Sequence, residues 1–267
     1  MKLATYSDGS RDGQLVVVSR DLESAHYASG IAHRMQQALD DWNFIAPQLQ
    51  DLYETLNQGK ARHAFPFDAA RCLAPLPRAY QRLSGGQAHA ALRQCPSDAL
   101  LGARGPIRAP AAAGEISFEA GLAAITGDVP PGATPEQGQD AIRLLTLINA
   151  IHLAADDGPD HIAAFSPVAV TPGELGAAWQ EARVHLTLSV AVKGRQPSLI
   201  EMGQMPWPFG SLIAAAARAR PLTAGTLIGS GQPQTPNLER GGVVRIDMKD
   251  ASGQSVFGAI EQTVEMP

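Results

Sequence analysis

EISFEAGLAAITGDV, running from Glu115 to Val129, alternates apolar side chains with polar or small ones: Ile116, Phe118, Ala120 and Leu122 are separated by Ser117, Glu119 and Gly121. A period of two sends alternate residues to opposite faces, so the stretch reads as a β-strand with one face on a core and the other on something else. Thr126-Gly127-Asp128 then turns the chain. Glu119 is the informative residue. A carboxylate on a strand of small and apolar residues is either a rim charge or part of a site.

Downstream, Thr134-Pro135-Glu136-Gln137 has the pattern of a capping box with Pro at the first helical position, predicting a helix to about Arg143. Leu144 to Leu153 is apolar, with Thr146, Asn149 and His152 interspersed. It fits a helix or a buried strand, and strand is the preferred reading. A short acidic loop, 154–161, precedes a brief strand over Phe165–Val170. Thr171-Pro172 with Glu174 predicts a capped helix through Trp179. Val184, Leu186, Leu188 and Val190 alternate in a strand ending at the turn Lys193-Gly194. Phe209–Arg220 is helical, Thr226–Ile228 is a strand, and Val243–Met248 and Ser255–Ile260 form a hairpin through Asp250–Gly253.

Upstream, two Asp-Gly turns lead into the β-branched strand Gln14–Ser19, an N-terminal hairpin. Ile31, Met35, Ala38 and Trp42 recur at helical spacing. Pro47 is expected to open a second helix with Leu49, Leu52, Tyr53 and Leu56 on one face and Gly59 after its end. Residues 64–77 connect this small unit to the main domain, and 78–113 are loop-like. The expected division is a small N-terminal domain, 1–70, and a main domain, 71–267.

Composition sets bounds. The chain has 267 residues, 45% hydrophobic and 18% charged, enough for one large domain or one domain and a smaller one. With 26 Gly and 20 Pro, a strand-rich fold with short helices is favoured over a bundle. The net charge is −5 and Lys and Arg are scattered, so no nucleic-acid partner is expected. The first residues carry no secretory apolar segment and no run is long enough to span a bilayer, so the expectation is a cytoplasmic protein without membrane contact. Cys72 and Cys95 are read as reduced thiols.

Common chemical signatures are silent. Gly229-Ser230-Gly231 is too short for a nucleophile elbow and reads as a turn, and no dinucleotide, phosphate-loop or zinc-protease motif occurs. The seven histidines show no metal-ligand spacing; His89 and His152 are the stronger functional candidates. Asp156, Asp157 and Asp160 near His161 offer oxygen to a hard cation but read better as a solvated loop.

The order of segments resembles the fumarylacetoacetate hydrolase family, particularly its bacterial members. The resemblance is carried by D-G-S-R-D-G-Q-L-V-V-V-S-R-D near the N-terminus, P-L-P-R-A-Y-Q at 75–81, I-S-F-E-A-G-L-A-A-I-T-G-D-V-P, A-F-S-P-V-A-V-T-P, A-G-T-L-I-G-S-G and S-V-F-G-A-I-E-Q. It implies an α+β, mostly β fold: a rolled mixed β-sandwich with a small N-terminal domain, assembled as a homodimer. It also implies metal-assisted cleavage, decarboxylation or isomerisation of oxo acids and β-dicarbonyl compounds. Mg, Mn or Ca would act there as a Lewis acid held by four carboxylates, two of them in an E-x-E on one strand. Here Glu119 keeps the first Glu, Gly121 stands in place of the second, and Ala150 stands where an Asp is expected. Ser84 is the nearest counterpart of the remaining Asp, Ala154 replaces an Arg, and His89 corresponds to the catalytic His with shortened spacing. Segments after His89, after Leu153 and after Gly231 are also shortened.

One carboxylate of four is too few for a tightly held divalent ion, so no cofactor is expected unless the family site functions in part. Two functions compete. One is a metal-independent enzyme with Glu119 and His152 as an acid–base pair and His89 as a further catalytic candidate. The other is a catalytically silent subunit or binding protein. The shortened segments also match a family hydrolase from which loops have been excised.

Overall fold

The computed structural model describes residues 1–85, 92–110, 114–154, 160–231 and 235–265. The chain begins with β1 (Lys2–Tyr6), β2 (Gln14–Val18) and β3 (Ser24–Tyr27), then α1 (Met35–Asp40), α2 (Trp42–Asn57) and β4 (Phe65–Pro66). Next come β5 (Arg82–Gly85), β6 (Leu92–Cys95), β7 (Ile107–Arg108), the long β8 (Ile116–Thr126), α3 (Pro135–Asp140) and the long β9 (Ile142–Leu153). β10 (Asp160–Phe165), β11 (Val168–Val170), β12 (Trp179–Gln180), β13 (Arg183–Val184), β14 (Thr187–Val192) and β15 (Ser198–Glu201) follow. The chain closes with α4 (Phe209–Ala216), β16 (Leu227–Gly229), β17 (Thr235–Leu238), β18 (Val243–Met248) and β19 (Ile260–Glu265).

A large mixed sheet runs β4-β3-β2-β1-β11-β9-β8-β16-β5-β6, with β10 also on β9 and β17 also on β8; a five-stranded sheet runs β15-β14-β18-β19-β7. The β8–β9 antiparallel pair is the centre of the molecule, in register from Ile116↔Leu153 to Ile125↔Leu144. Its two faces serve different cores. Phe118, Ala120, Leu122 and Ala124, with Leu145, Leu147 and Ile151, pack toward the five-stranded sheet around Leu188, Val190, Val244 and Ile246. Ala123 and Ile125, with Leu144, Ile148 and Ala150, pack with Leu3 and Leu15 of the N-terminal strands and with Met35, Ile45, Leu49 and Tyr53 of the helices. Each fully buried Leu or Ile contributes about 1.5–3 kcal/mol, which is why this pair is apolar on both sides over most of its length.

The Thr134 box forms: the Gln137 N–H donates to Thr134 Oγ1 at 3.3 Å, and the Thr134 N–H donates to Gln137 Oε1 at 2.9 Å. The strand reading of Leu144–Leu153 is also met. Other expectations are corrected. α3 ends at Asp140 and α4 at Ala216, and the helix expected from Ile31 is confined to Met35–Asp40. Pro47 lies inside α2 instead of opening it. The buried row Ile45, Leu49, Tyr53 and Leu56 runs straight past it, and that packing outweighs one lost helical hydrogen bond. Pro172–Ala178 forms 3₁₀ turns divided by a kink at Gly176, and the Thr171 hydroxyl accepts the Met1 amino group at 2.7 Å instead of capping them. Residues 165–170 are not one strand. Pro167 cannot donate to a ladder, and Ser166 Oγ accepts the Leu147 N–H at 3.0 Å at the break.

The loop-like stretch 78–113 contains β5, β6 and β7, whose pairing is long-range: β5 lies parallel to β16 and β7 parallel to β19. The partner of β18 is β19, with Ile246 opposite Ile260, so Ser255–Ala259 is connection and not strand. Cys72 and Cys95 are buried and free. No helix among the described residues is long and apolar enough to cross a membrane.

Candidate active site

Alternation on β8 and β9 gathers the candidate residues on one face. Glu119 stands opposite Ala150, Gly121 opposite Ile148, and Ser117 opposite His152. His152 is therefore the diagonal neighbour of Glu119, within reach of a long side chain across an antiparallel pair. Its Nε2 lies 3.2 Å from Glu119 Oε1, with the imidazole 7% and the carboxylate 18% exposed. The structure brings these two together. His89 lies outside the described residues, as do Asp156 and Asp157; the backbone of Asp160 and His161 runs in β10 beside β9.

Beside Glu119 is a recess of about 10 Å³ lined by Ser84, Gly121, Ile148, Ala150 and the Gly229-Ser230-Gly231 turn. That is room for about one water molecule. The turn closes it tightly: Gly231 has φ +60°, and a Cβ there would fall on the carbonyl oxygen of Gly85. Ser230 Oγ accepts the Leu122 N–H at 3.2 Å, which ties the turn to β8.

Arg82, two residues before Ser84, is buried, donates through Nε to the Pro96 carbonyl at 2.8 Å, and feels the charge of Glu119. Burial pushes its guanidinium down from the ordinary arginine value, and Glu119 acts in the opposite sense. Sequence reasoning missed Arg82 and gave Ser230 only a turn role. The available signal was the i, i+2 pair Arg82/Ser84, but a four-residue strand carries too little periodicity to read.

Comparisons with known proteins identify the family and the fold. The profile described as "Fumarylacetoacetase N-terminal domain 2" matches residues 1–78, and that described as "Fumarylacetoacetate (FAA) hydrolase C-terminal" matches residues 89–265. The chain belongs to the fumarylacetoacetate hydrolase family. Its fold is that of maleylpyruvate hydrolase from Sphingobium sp. SYK-6 in complex with manganese(II) and pyruvate, at TM-score 0.77, 19% identity and 100% coverage of both chains. A fumarylacetoacetate hydrolase from Exiguobacterium antarcticum aligns at TM-score 0.73 and 18% identity, again over 100% of both chains. The 2-hydroxyhepta-2,4-diene-1,7-dioate isomerase of Mycobacterium marinum aligns at 0.70 and 21%, over 99% of this chain and 98% of the other. No curated protein matches.

The described donors do not fit a hard divalent ion of the kind in the manganese complex. Mg²⁺ and Ca²⁺ take about six or more oxygens, waters among them, and tight binding of Ca²⁺ draws on several carboxylates. Among the described residues on this face Glu119 is the carboxylate, Gly121 and Ala150 offer no side-chain oxygen, Ser84 is neutral, and His152 points at Glu119. Among the described residues, no three His, Cys, Asp or Glu side chains converge.

Proposed function

We propose that this member of the family is a small-molecule enzyme acting on an oxo acid or β-dicarbonyl substrate by acid–base chemistry of Glu119 and His152. One observation carries the reading: the 3.2 Å approach of Glu119 Oε1 to His152 Nε2, on a face whose neighbours Gly121 and Ala150 are uncharged. Glu119 takes a proton from the carbon beside the carbonyl, and the electron pair moves onto the carbonyl oxygen. His152 receives the proton from Glu119 and returns one to the far carbon of the enolate, completing isomerisation; where the substrate carries a hydroxyl beside the enolate, the same proton goes to that hydroxyl, which leaves as water as the enolate's electron pair forms the new C=C bond. Positioned acid–base catalysis of this kind contributes about 10²–10⁴-fold. His89, in the segment next to Ser84, is a further candidate for the acid.

The test is Glu119→Gln on a panel of oxo acids. Turnover should fall by about 10²–10⁴-fold with an unchanged melting temperature, the loss expected when a general base is removed. Unchanged turnover would sink the assignment. The same reading makes the reaction independent of Mg, Mn and Ca. Dialysis against EDTA should leave turnover and melting unaltered, and a stoichiometric, tightly held ion in the purified protein would contradict it. It also takes the chain as a cytoplasmic homodimer divided into domains 1–70 and 71–267, with neither nucleic acid nor membrane as partner; light scattering checks the dimer.

A second reading is favoured by the size of the recess. At about 10 Å³ it admits no oxo acid, which suits a silent subunit or binding protein. Oxo acids that are neither consumed by the wild-type protein nor raise its melting temperature would favour this reading.

A further inference from the structure

The chain has four lysines, and Lys2 differs from Lys60, Lys193 and Lys249 in being 3% exposed. It sits in β1 between Val18 of β2 and Val170 of β11. Its Nζ donates to the Val256 carbonyl at 2.7 Å and joins no ion pair among the described residues. The acids facing it are engaged elsewhere. Glu174 accepts the Tyr53 hydroxyl at 2.6 Å, the Met1 amino group at 3.3 Å and Arg20 Nε at 3.1 Å. Asp250 Oδ1 accepts from Ser252 and from the Gln254 N–H within its own turn. Asp21 accepts from Ser19 Oγ and the Glu23 N–H.

Lys2 opens on a cavity of about 250 Å³ lined also by Arg20, Glu174, Leu186, Asp250 and Val256. This cavity shares no lining residue with the Glu119 recess. Burial pushes the Lys2 amine down from 10.5 to about 8; Glu174 and Asp250 oppose this, while Arg20 adds to it. About a tenth of the amine is thus unprotonated at pH 7, and the unprotonated amine is the nucleophile.

We infer that this cavity is a second small-molecule site, where Lys2 forms an imine with a small 2-oxo acid or acid-bearing aldehyde. The amine selects a carbonyl electrophile, and the volume selects a small one. Arg20 selects the acid: its side chain is 69% exposed, with Nε on Glu174 and the guanidinium 6.0 Å from the Tyr53 ring centroid, and its exposed edge is offered to a carboxylate. In the step, Lys2 Nζ adds to the carbonyl carbon and a C–N bond forms. The carbonyl oxygen then leaves as water with both amine protons, and no electrons are exchanged.

The test exposes the full chain to glyoxylate and cyanoborohydride, which reduces any imine to a stable secondary amine, and maps the label by peptide fragmentation. At pH 7.5 Lys2 should label at least about tenfold faster than Lys60, Lys193 and Lys249, since its amine is lowered from 10.5 to about 8 and each pKa unit is tenfold in unprotonated fraction. Fragment ions separate Lys2 from the Met1 amine. Equal labelling of all four lysines overturns the proposal. Arg20→Gln should slow labelling by glyoxylate while leaving labelling by formaldehyde unchanged; parallel slowing of both overturns the carboxylate assignment. Ala251→Phe, checked for an unaltered melting temperature, should slow Lys2 alone, and undiminished labelling of Lys2 in that variant counts against the cavity. Glu119→Gln should label as the wild type does, so failure at Lys2 is distinguishable from failure at Glu119.

Discussion

Glu119 and Glu174 are both carboxylates in shielded places, and their neighbours give them different work. Glu119 faces an imidazole across a strand pair and looks into a small recess. Glu174 is a structural anchor between the N-terminal strands, α2 and the 3₁₀ segment, with Tyr53, the Met1 amine and Arg20 all bound to it. Burial alone would push its carboxyl up, but those donors together hold it below the ordinary 4.5. A carboxylate with a lowered folded pKa stabilises the fold above its unfolded pKa, and that stability is lost as pH falls through the folded value. Glu174→Gln should therefore be less stable than wild type at pH 7, by about 1.5–3 kcal/mol for hydrogen bonds to a charged group. The two proteins should converge on acidification below pH 4.5. Urea melts at several pH values read this directly, and a gap that persists in acid would contradict it.

At the scale of elements, the β8–β9 pair explains why the site lies where it does. Thr126, Asn149 and Ser166 show that polar groups are admitted to the interior of this region, and the recess interrupts an otherwise continuous apolar face. Its fourth wall is the turn after β16, where Gly231 at φ +60° is pressed against the Gly85 carbonyl of β5. Gly231→Ala combines a disfavoured backbone conformation with a steric collision, so a loss of about 1–3 kcal/mol is expected from the backbone alone. The variant should also reduce turnover more than its stability loss accounts for, because the turn and Ser84 line the same recess. Thermal melts with activity measured well below the transition separate the two effects. The alternation of β8 and the box at Thr134 were legible because both are written within a few consecutive residues. Arg82, and the meeting of Ser84 with Ser230, were not, because β5 and β16 are short and meet in parallel across more than a hundred residues of chain.

At the scale of the molecule, the N-terminal unit is joined to the rest through backbone as well as side chains. β1 pairs with β11, Lys2 opposite Val170, so one sheet passes from the first strands into the main fold. Leu3 and Leu15 share a core with Ala123, Ile125 and Leu144 of β8 and β9. A fragment comprising residues 71–267 would expose that apolar face and the unpaired edge of β11. It should be aggregation-prone and bind a hydrophobic dye, whereas the intact chain should unfold in a single transition. A soluble, cooperatively folding fragment would contradict this coupling.

The sequence by itself determined the strand of Glu119, the strand paired to it, the capping box and the family order of segments. Each of these rests on local periodicity or on an ordered series of short motifs. It also determined that Gly121 and Ala150 carry no side-chain oxygen beside Glu119, since residue identity and strand parity are enough for that. Only the tertiary structure decided that His152 meets Glu119 at 3.2 Å, that Ser84 and Ser230 close a recess of about 10 Å³, and that Lys2 is a buried amine opening on a separate cavity. Those are distances between residues far apart in the chain, set by sheet register and by the packing of two cores, and no local pattern encodes them.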